Sequence, residues 1–200
     1  MTDLTHAIQF LQAGVTILLG LALGEAFKQL VPDGDQNIRS DRVHSLLAFL
    51  FMIFPFFHGM SRYFYTAYLT IPNAHLGPVA GHVMFDGTAF MTMAVMFFVM
   101  CRSLSPSHWI RFYTFLLALL SVDTVWIIVS MIFGTPLLPW LILNVVLMVA
   151  LFAILRTFWP DQPYDDNNKP PLAPGWLCAL LTGNTTLLSY MWMSNFYFPS

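Results

Sequence analysis

Apolar residues run along the chain in six long stretches, each with about the 20 residues that a helix needs to cross the hydrocarbon core of a bilayer. Shorter segments that contain proline, glycine and aspartate separate these stretches and carry turn chemistry. The pattern predicts an all-α fold, a polytopic transmembrane helical bundle of about six spans. It forms one domain over residues 1–200, with no sizeable soluble domain. The predicted spans cover residues 7–31, 43–69, 81–102, 109–133, 137–159 and 176–198.

The sixth stretch is the least certain of the predicted spans because it is the most polar. Threonine, asparagine and serine recur through it, whereas the other spans are dominated by large apolar residues. A re-entrant or interfacial segment is the alternative to a crossing helix. Its polar residues are Thr182, Asn184, Thr185, Thr186, Ser189 and Asn195.

The composition supports a bilayer as the medium of this chain. Of its residues 58% are apolar and 9% are charged, and its mean hydropathy is +0.68. A soluble domain is about 45–50% apolar and about 25% charged. The net charge of −2 argues against a nucleic-acid partner. Cys101 and Cys178 are far apart, which argues against a disulfide scaffold or a dithiol centre.

The basic residues predict the orientation of the helices. Apart from Arg62, every lysine and arginine lies beside an odd-numbered connection between predicted spans. The positive-inside rule therefore places these connections in the cytoplasm and both termini outside. We expect a multi-pass protein of a bacterial inner (cytoplasmic) membrane. The residues that determine the orientation are Lys28, Arg39, Arg42, Arg102, Arg111, Arg156 and Lys169.

Three ionisable residues, Arg62, Asp86 and Asp123, lie inside the predicted spans at comparable depth. A charge at membrane depth costs about 2.5–3.5 kcal/mol on insertion scales, so such residues are candidates for function. The guanidinium of Arg62 can engage two carboxylates, and we expect an interhelical ion-pair cluster in the outer third of the bilayer. His58 and His82 lie four residues before Arg62 and Asp86, on the same helical faces.

Three interpretations of this intramembrane polar cluster stay open. Its residues can set the register of the helices and have no further role, as partnered polar residues in bundles often do. They can instead form a gate, a proton relay or a ligand site. A metal or haem site through His58 and His82 is the third interpretation. The spacing of the two histidines indicates no particular metal, so neither a metal nor a cofactor is predicted.

The first span carries two further features. Glu25 and Lys28 form a polar pair at its cytoplasmic end, which a local ion pair and snorkelling explain; a cytoplasmic mouth lined by Glu25 is the alternative. Gly20 and Gly24 form a GxxxG motif that lets another helix approach closely, and we expect it to serve packing within the bundle rather than self-association. In the second span, Pro55 predicts a kink.

The chain has no phosphate-binding loop, zinc-protease, serine-hydrolase or dinucleotide-binding motif. The leading hypothesis is a non-enzymatic integral membrane protein that acts as an oligomeric channel, or as the membrane-embedded sensor or anchor subunit of a larger assembly. Its expected partners are the lipid bilayer, further copies of itself and a cytoplasmic protein. One alternative is a proton-coupled small-solute transporter that uses the intramembrane Arg/Asp/His cluster. The other is a membrane-embedded oxidoreductase or haem protein.

Overall fold

The computed structural model describes residues 3–30, 42–70, 76–104, 109–159 and 171–198. Helices account for nearly all of these residues, and no strand occurs among them, which confirms the all-α prediction. A π-helical turn, Tyr65–Leu69, continues the second helix. The α-helices are α1 (Asp3–Leu30), α2 (Val43–Phe64), α3 (Leu76–Cys101), α4 (Trp109–Ile132), α5 (Leu138–Thr157), α6 (Leu172–Trp192) and α7 (Ser194–Tyr197).

Five of these helical segments are long and apolar enough to cross a membrane: α1, α2 with its π-helical turn, α3, α4 and α5. The protein is therefore a multi-pass integral membrane protein. Helix α6 is not among the five, because its threonine and asparagine residues lower its hydropathy. The boundaries predicted for the sixth span, residues 176–198, were wrong. The helix begins before residue 176 and ends at Trp192, and the chain then turns at Met193 into the short helix α7.

Helix α6 nevertheless runs parallel to α2 from His44 to His58. Gly175 at its start approaches His44 at the start of α2. Midway along both helices, the Thr186 hydroxyl donates to the Phe51 carbonyl at 3.1 Å. Beyond α6, the carbonyl of Phe196 in α7 accepts a hydrogen bond from Arg62 near the end of α2. Helix α6 therefore lies alongside most of a helix that is long enough to cross the bilayer.

The helices pack so that α3, α4, α5, α6 and α2 follow one another around the bundle, and α1 lies mainly against α3. Aromatic rings fill the interior between α2 and α3. Phe56 meets Phe90 and Phe97 with ring centroids 5.9 and 5.2 Å apart, and Phe49 meets Phe97 at 5.8 Å. The outward faces stay apolar, as at Phe10 and Val149, which is the surface that lipid requires.

The glycines divide into those that packing requires and those that face outward. A Cβ on Gly175 would lie 2.6 Å from the His44 ring, and one on Gly59 would lie 2.7 Å from the Trp140 ring. A Cβ on Gly20 or Gly24 would meet nothing within 4 Å. The expectation that the GxxxG motif packs inside the bundle is therefore wrong for this chain. Helix α1 contacts its neighbours through other residues, and both glycines are exposed.

At the end of the bundle where α2, α4 and α6 begin, a buried polar group connects these three helices. The Tyr113 hydroxyl donates to the Gly175 carbonyl at 3.0 Å, and the His44 ring stacks on Tyr113 with centroids 6.2 Å apart. Ser45 lies 3.1 Å from Nδ1 of His44. This group was not among the candidate sites predicted from the sequence, although His44 and Ser45 at the start of the predicted second span indicate a polar contact there.

Gly175→Ala is expected to destabilise the protein because the added methyl group overlaps the buried His44 ring. Overpacking of this kind costs about 1–3 kcal/mol. Gly20→Ala is the matched control, since its methyl group enters open space. Thermal unfolding of the two purified variants in detergent measures the difference. Equal melting temperatures would contradict the close approach of α6 to α2.

A reporter fused after residue 200 tests the crossing of α6. Because α6 runs parallel to α2, we expect the C-terminus on the outer side, where alkaline phosphatase is active and green fluorescent protein is dark. Fusions after residue 104, at the end of α3, are the control and are expected to give the opposite result. A fluorescent C-terminal fusion would show that α6 does not cross.

Candidate functional site

Asp86 in α3 is held by donors from two other helical segments. Its Oδ2 accepts a hydrogen bond from the Tyr68 hydroxyl at 2.5 Å, and its Oδ1 accepts one from Nε1 of Trp126 in α4 at 2.9 Å. The side chain of Tyr63 lies beside the same carboxyl group. Asp86 is only 2% exposed. The carboxyl group therefore joins α3 to α4 and to the end of α2.

The π-helical turn places Tyr68 at this carboxyl group. At Tyr65 the hydrogen-bond pattern of α2 widens, and the amide of Thr70 donates to the Tyr65 carbonyl at 3.2 Å, a span of five residues. The wider turn changes the direction of every side chain that follows it. π-helical turns are rare and occur frequently at functional sites. The sequence contains no recognisable signal for this one.

Asp123 in α4 lies in a different environment. Its Oδ2 accepts a hydrogen bond from Nδ2 of Asn144 in α5 at 2.6 Å, and the Trp140 side chain is a second polar neighbour. Because Asp86 binds Trp126, three residues beyond Asp123, the two carboxyl groups lie within about one helical turn of each other along the bundle. Asn144 is an isolated polar residue in an apolar span, a signal that the sequence interpretation missed.

A small cavity of about 50 Å³ adjoins Asp123, and we call it the Asp123 cavity. It lies between α2, α4, α5 and α6, and it has room for a water molecule or a small polar group. Hydroxyl side chains face the carboxyl group across it. The Tyr197 hydroxyl is buried and makes no hydrogen bond to the described residues. The polar wall consists of Asp123, Trp140, Asn144, Thr185, Thr186, Ser189 and Tyr197.

Pro55 contributes to the wall of the same cavity and explains one of its contacts. A proline has no N–H group, so the carbonyl four residues earlier in the helix, that of Phe51, loses its usual partner. The Thr186 hydroxyl of α6 donates to that carbonyl at 3.1 Å. Thr186, one of the polar residues that made the sixth span uncertain, therefore supplies the hydrogen bond that this carbonyl of α2 lacks. Helix α2 continues through Pro55 without a break.

The expected ion pair of Arg62 with the two aspartates is wrong. Nε of Arg62 donates to the Phe196 carbonyl at 3.0 Å, and its guanidinium carbon lies 5.2 Å from the centre of the Tyr65 ring. In the part of the chain that the structure describes, no ion pair links Arg62 to Asp86 or Asp123. The backbone carbonyl of α7 lies beside the guanidinium, while Tyr68, Trp126 and Asn144 supply the donors to the carboxyl groups.

The two histidines of the cluster lie among different helices. His58 faces α6 and α7, with Nδ1 3.4 Å from the Tyr190 hydroxyl and its ring 5.4 Å from that of Tyr197. His82 is exposed at the start of α3, and its ring centroid lies 4.1 Å from that of Phe133. Among the residues with described positions, no group of three or more histidine, cysteine, aspartate or glutamate side chains could hold a metal ion.

The polar pair at the end of α1 has different partners from those expected. Glu25 accepts a hydrogen bond from Nε2 of Gln29 at 2.9 Å, and Arg42 donates to the Gln29 carbonyl. Lys28 is exposed, and within residues 3–30 and 42–70 it forms no ion pair with Glu25. The expectation of a local Glu25–Lys28 ion pair is wrong, because Gln29, one turn after Glu25, takes that place. Arg42 thereby satisfies a carbonyl at the end of α1.

No family model matches this chain, and no match was found among curated proteins or solved structures. Its function is therefore argued from the chemistry of the site.

Tyr68→Phe tests the role of the Asp86 contacts in holding the helices together. Removing the hydroxyl leaves Oδ2 of a buried carboxyl group without its donor, at a cost of about 1–3 kcal/mol. Tyr65→Phe is the matched control, because Tyr65 is an exposed tyrosine on the same π-helical turn. We expect a lower melting temperature in detergent for the Tyr68 variant alone. Equal stability of the two variants would argue against a structural role of this hydrogen bond.

Proposed function

We propose that this protein is a non-enzymatic, proton-coupled transporter of a small solute in the bacterial inner membrane, with Asp123 as its proton-binding group. The observation that carries the proposal is a buried carboxyl group beside a small cavity within the bundle, whose wall also carries hydroxyl and amide side chains. Ionisable side chains at membrane depth are costly, and proton relays in transporters use them in such positions. Among the three hypotheses from the sequence, this geometry favours the transporter.

The two aspartates differ in a way that assigns them different roles. Both oxygens of Asp86 accept hydrogen bonds from the protein, which suits a group that sets helix register. Asp123 has Asn144 on one side and the cavity on the other. A carboxyl group beside a cavity can gain or lose a proton to a water molecule or a solute there. Asp86 adjoins a cavity as well, but a donor occupies each of its oxygens, so Asp123 is the better candidate for proton exchange.

The wall opposite Asp123 supports the same proposal. A hydroxyl group both donates and accepts hydrogen bonds, so the hydroxyls of Thr185, Ser189 and Tyr197 can reorient as a proton or solute arrives. The rings of His58 and Tyr190 lie against the Tyr197 ring, with centroids 5.4 and 4.2 Å from it. These groups belong to α2, α6 and α7, so a change at Asp123 would reach three helices.

The second candidate is the oligomeric channel, or the sensor or anchor subunit of an assembly. The outward position of Gly20 and Gly24 favours it, because these glycines leave room for a helix of another copy. The Asp123 cavity is too small for a continuous solute path within one chain, so a pore of this protein would lie between copies. As a subunit of an assembly, the protein would also bind a cytoplasmic protein.

Asp123→Asn tests proton exchange at two levels. In the purified protein, we expect a pH-dependent infrared band of a protonated carboxyl group, and we expect the substitution to remove it. In liposomes that enclose a pH-sensitive dye, small neutral, anionic and cationic solutes are added from outside. A transported solute should change the internal pH, and the variant should lower that rate by about 100-fold, the least that a positioned proton-transfer group commonly contributes.

Asp3→Asn, at the exposed start of α1, is the matched control and should behave as the unmodified protein does. If the carboxyl band persists in the Asp123 variant, Asp123 is not the titrating group. If no solute moves protons, or if the Asp123 variant keeps the full rate, proton coupling through this residue is ruled out.

A further inference from the structure

A second and larger cavity, of about 190 Å³, lies beside Asp86, and we call it the Asp86 cavity. It is bounded by the end of α2 with its π-helical turn, by the first turns of α3, and by the turn between α4 and α5. The Asp123 cavity has about a quarter of this volume, so of the two the Asp86 cavity has room for a small organic molecule. Its principal side chains are Tyr63, Tyr68, His82, Asp86, Phe133 and Thr135.

The charge in this cavity is that of one carboxyl group without a cationic partner. Among the described residues, neither lysine nor arginine contributes to its wall, and Asp86 forms no ion pair. The nearest basic side chain is that of His82, which is exposed. A carboxylate has about four acceptor positions; Tyr68 and Trp126 occupy two of them, and the Tyr63 side chain lies beside the group as a third polar neighbour. A buried carboxylate is stabilised by an opposite charge, which a bound cation would supply.

The remaining wall indicates which kind of cation fits. The rings of Tyr63, Tyr68, Phe85 and Phe133 line the same cavity as the carboxyl group, and the faces of such rings attract organic cations. A bare metal ion instead needs several oxygen or nitrogen ligands around it. We propose that the Asp86 cavity binds a small organic cation, an alkylammonium or quaternary ammonium ion, between the Asp86 carboxylate and these rings.

The cavity is organised before any ligand arrives. Tyr68 and Trp126 hold the carboxyl group from both sides. Gly134 has φ +95°, a conformation that favours glycine, and the tight turn it forms follows directly after Phe133, whose ring lies against His82. Binding to a preformed site loses less conformational entropy, so even a small ligand can be retained.

The position of the cavity also suits a cation. It lies at the end of the bundle where α3 begins and α4 ends, which the positive-inside rule assigns to the outer side. The second and fourth connections have no lysine or arginine, which lowers the repulsion that an approaching cation meets there. The proposal concerns binding at Asp86, and it stands whether or not Asp123 exchanges protons.

Calorimetric titration of the purified full chain tests this proposal, with tetramethylammonium and ethylammonium chloride as probes and sodium chloride at equal ionic strength as reference. We expect saturable binding of at least one probe. Asp86→Asn removes the charge, and Ala67→Leu fills the cavity without altering a donor to the carboxyl group. Each should weaken binding about tenfold or more, which corresponds to about 1.4 kcal/mol.

Ala13→Leu, on the exposed face of α1, is the matched control and should keep both the affinity and the melting temperature. Should Asp86→Asn fail to fold, the Ala67 variant decides the question by itself. The proposal is overturned if neither probe binds or if Ala67→Leu binds as tightly as the unmodified protein. It is also overturned if sodium or potassium chloride titrates the site and neither ammonium ion does.

Discussion

Lipid offers no hydrogen bonds, so every polar group within the hydrocarbon layer must find its partner inside the protein. The contacts between the helices of this bundle follow from that constraint. The Phe51 carbonyl, left without its partner by Pro55, accepts from Thr186, and Asp123 accepts from Asn144. Each of these contacts requires two helices to lie at one particular height relative to each other. Polar residues thereby set the register that uniform apolar faces leave undetermined.

The two buried carboxyl groups satisfy the same constraint in different ways. Asp86 has a donor on each oxygen, and these donors come from α4 and from the π-helical turn after α2. Asp123 accepts from Asn144, has the Trp140 side chain as a second polar neighbour, and adjoins a cavity that hydroxyl groups also line. Donors on both oxygens hold the Asp86 carboxyl group in place, whereas a donor is recorded on only one oxygen of Asp123. Both carboxyl groups nevertheless adjoin cavities large enough for water, and the larger cavity, at Asp86, is lined by aromatic rings.

The sequence predicted the fold class because 20-residue apolar stretches leave few alternatives to spanning helices. It also predicted that Asp86 and Asp123 lie at similar depth, because residue counts along helices measure depth. It did not predict their partners. Arg62 binds a backbone carbonyl, and every backbone carbonyl is an acceptor that a residue pattern does not distinguish. The sequence did not predict the π-helical turn either, because a widened turn requires no particular residue type.

From sequence alone, then, the apolar stretches determined the medium and the secondary structure, and the basic residues predicted the orientation. Hydropathy and charge act on each segment separately, so their effects can be predicted from the order of residues along the chain. The tertiary structure alone decided that Gly20 and Gly24 face outward, that α6 lies parallel to α2, and that the polar residues of α6 line a cavity at Asp123. Those outcomes depend on which faces of the helices meet, and that is a property of all the helices packed together.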